Sequence, residues 1–159
     1  MKHQKPTRLS LGSVSSCTMR EEDLIPTFLW ECNHLRLSKG DRATVRDIER
    51  RSETDGYYEG EDSAEDCSEL FDLLNNYVPA YCYFGAHEGD SADYGVWVSF
   101  ESLNDDARHG RSIYKLIAGE EFPKANTTIA DYLMVVTDHG NVTLYRKSGN
   151  RWIEEWSCV

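Results

Sequence analysis

The sequence predicts an α+β protein in which N-terminal helices pack on an antiparallel sheet of about four to six strands. Three observations carry this. Apolar residues at 25, 28, 29, 32 and 35 repeat with the period of an amphipathic helix. Aromatic and β-branched runs at 80–84, 94–100 and 132–137 read as strands bounded by Gly, Asp and Ser. Finally, the helical patterns come first and the strand patterns follow, instead of alternating as in a parallel α/β sheet.

Element by element, Glu21, Glu22 and Asp23 stand where a helix dipole favours acids, and Pro26 fits a first turn that does not need its N–H. Lys39-Gly40 reads as the stop of this helix. A second, more polar helix is expected over residues 42–51, with Val45 and Ile48 on its apolar face and Arg42, Arg46, Arg50 and Arg51 elsewhere. Residues 54–62 hold two glycines and read as a loop. A third helix is expected from Ser63, as N-cap, to about Asn76, with Leu70, Phe71, Leu73, Leu74 and Tyr77 inward and Pro79 closing it.

The second half reads as strands 80–84 and 94–100 around a loop at 85–93, a short helical turn at 101–108, and a strand at 112–117. A loop at 119–126 precedes strands 132–137 and 142–145, joined by the turn Asp138-His139-Gly140-Asn141. Ser148-Gly149-Asn150 then turns the chain into a last strand at 151–156. The expected organisation is a flexible basic extension over residues 1–18 and a single α+β domain over residues 19–159.

Charge is the most informative property. Residues 53–106 contain fifteen carboxylates and no Lys or Arg, whereas the rest of the chain has 13 acids and 17 bases. The whole net charge of −11 therefore originates in one third of the sequence. That third also holds ten of the eighteen aromatic residues, so it belongs to a fold; disordered acidic tails lack the apolar area to offset chain entropy. A field of one sign steers partners of the opposite sign. Direct nucleic-acid binding is disfavoured, because phosphate contacts supply most of its affinity.

Five cysteines without a C-x-x-C pair indicate ordinary free thiols in a reducing cytosol. No stretch approaches the ~18 apolar residues of a membrane-spanning helix, so a cytoplasmic protein with no membrane contact is expected.

Known catalytic motifs are missing: there is no G-x-S-x-G, H-E-x-x-H, P-loop or G-x-G-x-x-G. His34, His87, His109 and His139 sit in no recognisable catalytic pattern, and neither an enzyme activity nor a cofactor is expected. The loop His87-Glu88-Gly89-Asp90-Ser91-Ala92-Asp93 offers an imidazole and three carboxylates, the donor types of a cation site, but not the spacing of an EF-hand. A metal-binding protein centred on His87, Glu88, Asp90 and Asp93 is thus one alternative. A structural or oligomerising protein is another, using the aromatic strands and the basic group Arg36, Lys39, Arg42, Arg46, Arg50 and Arg51, which suits pairing with the acidic surface within one chain or across a dimer.

The favoured expectation uses the acids themselves. Glu65, Glu69 and Asp72 step at i, i+4 and i+7, so a helix aligns them; Asp66 flanks the row, and Glu61 and Asp62 extend it. Fixed carboxylates imitate rows of phosphates and occupy the basic groove of a nucleic-acid-binding protein. Glu88, Asp90 and Asp93 form a second acidic edge.

The segments Phe84-Gly-Ala-His-Glu-Gly-Asp-Ser-Ala-Asp-Tyr-Gly-Val-Trp97 and Val136-Thr-Asp-His-Gly-Asn-Val-Thr-Leu-Tyr145 resemble parts of small uncharacterised acidic proteins of bacteriophages and plasmids. The resemblance covers about Met19 to the C-terminus and implies Met19 as the ancestral start. It carries over no catalytic residue. It implies a context in which small acidic proteins of mobile elements inhibit host nucleases, CRISPR effectors or polymerases by binding them.

Overall fold

The computed structural model describes residues 5–110 and 112–159, and it is α+β. Among the described residues there are four α-helices and two sheets, and the chain divides into two units, Met1–Val98 and Ser99–Val159. Two sheets thus replace the single sheet expected, and the main division falls at 98/99 instead of 18/19. Among the described residues no helix is long and apolar enough to cross a membrane.

In the first unit, β1 (Gly12–Ser15) precedes α1 (Glu21–His34), α2 (Lys39–Ser52) and α3 (Asp62–Asn75), followed by β2 (Cys82–His87) and β3 (Asp90–Val98). Helix α1 buries Leu24, Ile25, Phe28, Leu29 and Cys32, as its periodicity requires. Pro26 stands one turn later than expected; it is exposed, so the carbonyl its missing N–H leaves unpaired faces the solvent side of the helix. Lys39 and Gly40 do not stop α1; they open α2. Ser38 is the N-cap: its Oγ accepts from the Asp41 N–H at 3.1 Å and donates to Asp41 Oδ2 at 2.7 Å.

Helix α3 starts two residues before expectation, with Glu61 in the cap position. Ser63 is its second residue, not its cap; it is buried and donates its hydroxyl to the Gly60 carbonyl at 3.3 Å. At the other end, the Asn75 amide donates to the Phe84 carbonyl at 3.0 Å and accepts from the Phe84 N–H at 2.9 Å, which ties α3 to β2.

The first sheet has the order β1-β3-β2, antiparallel throughout. The expected loop at 85–93 is mostly strand: β2 and β3 meet at a two-residue turn, Glu88-Gly89, with His87 opposite Asp90. Residues 1–4 of the expected extension lie outside the described residues. The remainder of it is part of the unit. Leu9 is 6% exposed in the core, its N–H bonds to the Tyr77 carbonyl at 2.8 Å, and β1 pairs with β3. The close approach of β1 depends on Gly95, where a Cβ would lie 2.3 Å from the Gly12 carbonyl oxygen. Phe28, Phe71, Phe84 and Tyr94 meet edge to face at centroid distances of 5.2–6.4 Å and fill the space between helices and sheet.

The second unit starts with α4 (Phe100–His109), a full helix where a turn is expected, and continues with β4 (Ile113–Ile117), β5 (Tyr132–Val136), β6 (Val142–Ser148) and β7 (Arg151–Cys158) in the order β4-β5-β6-β7. Both expected hairpins form, the second through Gly149-Asn150 with Gly149 at φ 58°. The β4–β5 pair is parallel, which corrects the all-antiparallel expectation. Residues 118–131 are long enough to return the chain to the end at which β4 began. Leu116, Leu133, Met134, Leu144 and Trp156 supply the buried apolar side chains.

Candidate acidic interface

Helix α3 carries the predicted acidic row, with one residue removed from it. Glu65, Glu69 and Asp72 are exposed, and Glu61 and Asp62 are exposed at the start of the helix. Asp66 is 5% exposed and points inward. The i, i+3, i+4 spacing that places Glu65, Glu69 and Asp72 toward solvent rotates Asp66 onto the same side as Leu70 and Leu73.

A buried carboxylate needs partners, and Asp66 has two. Arg51 Nε donates to Asp66 Oδ2 at 3.0 Å, and a second Arg51 nitrogen pairs with Oδ1. The Tyr57 hydroxyl donates to Oδ2 at 2.7 Å. Burial alone raises the pKa of Asp66, but the bonds from Arg51 and Tyr57 outweigh it and hold the carboxyl below its ordinary value. Tyr57 is pushed up by its own burial and by the neighbouring carboxylate. The network locks the C-terminal end of α2 and the 3-10 turn at Tyr57–Glu59 against α3.

Pairing of the basic group with the acidic stretch within one chain was expected, and Arg51 does so; that its partner is Asp66 was not legible, because the two lie fifteen residues apart with no spacing rule to connect them. The only legible signal was an Asp at a position of the apolar stripe. It also brings a base to the edge of the acidic face: Arg51 is 44% exposed and lines a shallow depression of about 350 Å³ with Asp62, Glu65, Asp66 and Glu69. Asp66 offsets the charge of Arg51, and although Glu69 also acts on that guanidinium, Asp62, Glu65 and Glu69 leave the depression negative on balance.

The second acidic edge is less uniform. Glu88 and Asp90 are exposed around the β2–β3 turn, and Asp90 Oδ1 accepts from the Ala92 N–H at 3.0 Å. Asp93 is half-buried and accepts from the Ser13 hydroxyl across the β1–β3 pair. His87 packs edge-on against Trp97 at 4.6 Å, and its Nδ1 accepts from the Gly89 N–H at 3.1 Å. His87, Glu88, Asp90 and Asp93 therefore do not converge on one point, and among the described residues no three His, Cys, Asp or Glu side chains are placed to hold an ion. The other histidines among the described residues are dispersed: His34 caps its own helix at the Trp30 carbonyl and stacks on Trp30, His109 lies 3.1 Å from Asp105 on α4, and His139 occupies the β5–β6 turn.

The basic group divides in the same way. Arg51 pairs with Asp66 and Arg50 with Asp47, while Lys39, Arg42, Arg46 and Arg50 follow one another along a single side of α2.

Comparison with protein-family models, with curated proteins and with solved structures finds no match to this chain.

Proposed function

We propose that the protein is an acidic protein-binding module, an inhibitor or decoy whose α3 face occupies the basic surface of a nucleic-acid-handling protein, such as a host defence nuclease met by a mobile element. One observation carries this reading: Glu61, Asp62, Glu65, Glu69 and Asp72 are all exposed on or at the start of one helix, and the nearest base, Arg51, is spent on a buried carboxylate. From Asp62 to Asp72 the helix rises about 15 Å. Along B-DNA that length presents about nine phosphates. The likeness is one of sign, with five carboxylates on a rigid helix where the duplex presents about nine phosphates. No cofactor enters this reading.

The test compares wild type with Glu65→Lys/Glu69→Lys, both verified as folded by circular dichroism. Immobilised protein is exposed to a bacterial lysate in low salt and eluted in high salt. The expected outcome is a set of basic nucleic-acid-binding proteins retained by wild type and lost by the variant, at least one of which wild type inhibits in DNA binding or cleavage. Identical retention by the two forms sinks the reading.

A second reading, self-association, is favoured by the α2 stripe. Lys39 and Arg46 have no carboxylate within ion-pair distance among the described residues, so their charges are free to meet the α3 face of another copy. Each exposed pair contributes at most about 1 kcal/mol, which places such association in low salt only. Sedimentation at micromolar protein distinguishes the two: a monomer at every salt concentration excludes it.

A further inference from the structure

Beside the acidic row the first unit has an apolar groove. Its floor is formed by Leu24 and Phe28 of α1, its walls by Phe71 of α3 and Tyr94 and Ala86 of the sheet, and its rim by Met19. The volume is about 460 Å³, within the range of roughly 300–1,000 Å³ typical of ligand clefts. Met19 is 59% exposed, and Phe71 and Tyr94 are only half-buried. An unbranched Met at the mouth of a groove adapts to whatever enters.

The surroundings of the groove say what that is. On one side Ala64 and Ser68 of α3 line it, and one step around the same helix stand Glu61, Glu65 and Asp72. On the other side Glu21 lines it, followed in the first turn of α1 by Glu22, which pairs with Arg20, and by Asp23, so this rim is acidic on balance and less so than the α3 rim. Acids thus flank the apolar floor from two helices. Phosphates and acidic segments are repelled by both rims. A cleft between helices over a sheet, apolar at its centre and charged at its margins, fits an amphipathic helix with anchors at i and i+4.

Resting on the proposed binding role, we infer that this groove receives the apolar anchor side chains of a basic amphipathic helix on the partner, whose Lys and Arg residues meet the acids of α1 and α3. Recognition then has two parts. The acids speed encounter and make it salt-dependent. The groove supplies the desolvated centre that decides how long the complex lasts, with the charged margin excluding water around it.

The experiment uses the whole chain and two labelled peptides of about 16 residues, long enough to hold a helix. The first carries Leu at two positions four apart on a Lys- and Arg-rich helix; the second has both Leu replaced by Ser at unchanged charge. Fluorescence anisotropy is read at about 50 and 500 mM NaCl. The Leu peptide is expected to bind wild type at least about tenfold more tightly than the Ser peptide, roughly one apolar anchor's worth. Ala64→Trp/Ser68→Trp, which fills the groove from two exposed positions, is expected to abolish that difference and keep the salt dependence; Glu65→Lys/Glu69→Lys is expected to do the reverse. Equal binding of the two peptides, or discrimination that survives the two Trp substitutions, overturns the groove and leaves the acidic face standing. Binding of neither peptide at low salt overturns both.

Discussion

The two units of this chain manage their surfaces in opposite ways. The first has nineteen acids against ten bases, a net −9; the second has nine against seven, a net −2. The second unit leaves more of its large apolar side chains exposed, among them Tyr114, Ile117, Phe122, Ile153 and Ile129, the last at 86%, against Met19 and Trp30 in the first. The base-free stretch of the sequence does not respect the division: twelve of its acids fall in the first unit and only Glu101, Asp105 and Asp106 in the second. Charge that looks like one block along the chain is therefore a property of one folded unit. The comparison places most of the charge surplus in residues 1–98 and makes the helices there, more than the total charge of −11, the thing to perturb.

The largest expected effects come from the cores, and they sharpen the division if each stays local. Phe84 is buried against Phe28 and Phe71, and Phe84→Ala should cost about 3–5 kcal/mol by urea denaturation. Leu144→Ala, at the centre of the second sheet, should cost about 2–5 kcal/mol. Amide exchange reads the location: Phe84→Ala should speed exchange first in α3, β2 and β3, and Leu144→Ala in β5, β6 and β7. Equal acceleration throughout the chain by either substitution breaks the division into units.

Next in size is the Asp66 network. Arg51→Ala leaves a buried carboxylate with Tyr57 alone, and complete loss of a buried pair costs about 3–5 kcal/mol. Arg51 is partly exposed, so water replaces some of its interaction, and about 2–3 kcal/mol is expected. A similar removal of a base in the second unit, Lys115→Ala on an exposed strand position, should stay within about 0.5 kcal/mol. Gly95→Ala follows at about 1–3 kcal/mol, because its Cβ meets the backbone of Gly12 and Ser13 and β1 must shift. Its signature is faster exchange at Leu9 and along β1, with β2–β3 pairing preserved. A silent Gly95→Ala means that β1 contributes nothing to the unit.

What the sequence made legible follows from range. Helices α1, α2 and α3 and the β5–β6–β7 hairpins are written in local periodicity and turn residues, and they form. Gly40 was misleading because glycine also tolerates a first turn; Ser38 and Asp41, three apart, held the better signal of a capping pair. The turn Glu88-Gly89 was hidden because polar side chains on an exposed hairpin end look like loop. Parallel pairing of β4 with β5, the seat of β1 on Gly95, and the burial of Asp66 depend on contacts distant along the chain, which no periodicity encodes. The acidic row was read correctly at Glu61, Asp62, Glu65, Glu69 and Asp72 as exposed positions, and incorrectly at Asp66. The apolar groove escaped notice because Phe71 reads as a core residue of its helix, whereas it is only half-buried.

The smallest effect concerns pH and tests whether Asp66 is structural while its neighbours on α3 are not. Its native carboxyl titrates below the ordinary value, so the unfolded chain takes up the proton first as pH falls. The stabilisation is complete above about pH 4, the ordinary Asp range. It is lost as pH drops from there through the depressed native value. At the alkaline end the sign inverts: Tyr57 is raised, so its contribution is complete below about pH 10 and declines above that as the unfolded phenol ionises. The difference in urea midpoint between wild type and Asp66→Asn should therefore be largest at pH 7 and narrow towards pH 3. Tyr57→Phe should remove the added alkaline sensitivity at a cost of about 1 kcal/mol at neutral pH. Glu69→Gln, three residues along the same helix but exposed, should follow wild type in both limbs. If Glu69→Gln instead reproduces the acid behaviour of Asp66→Asn, the inward and outward carboxylates of α3 are not separated in the way their burial implies.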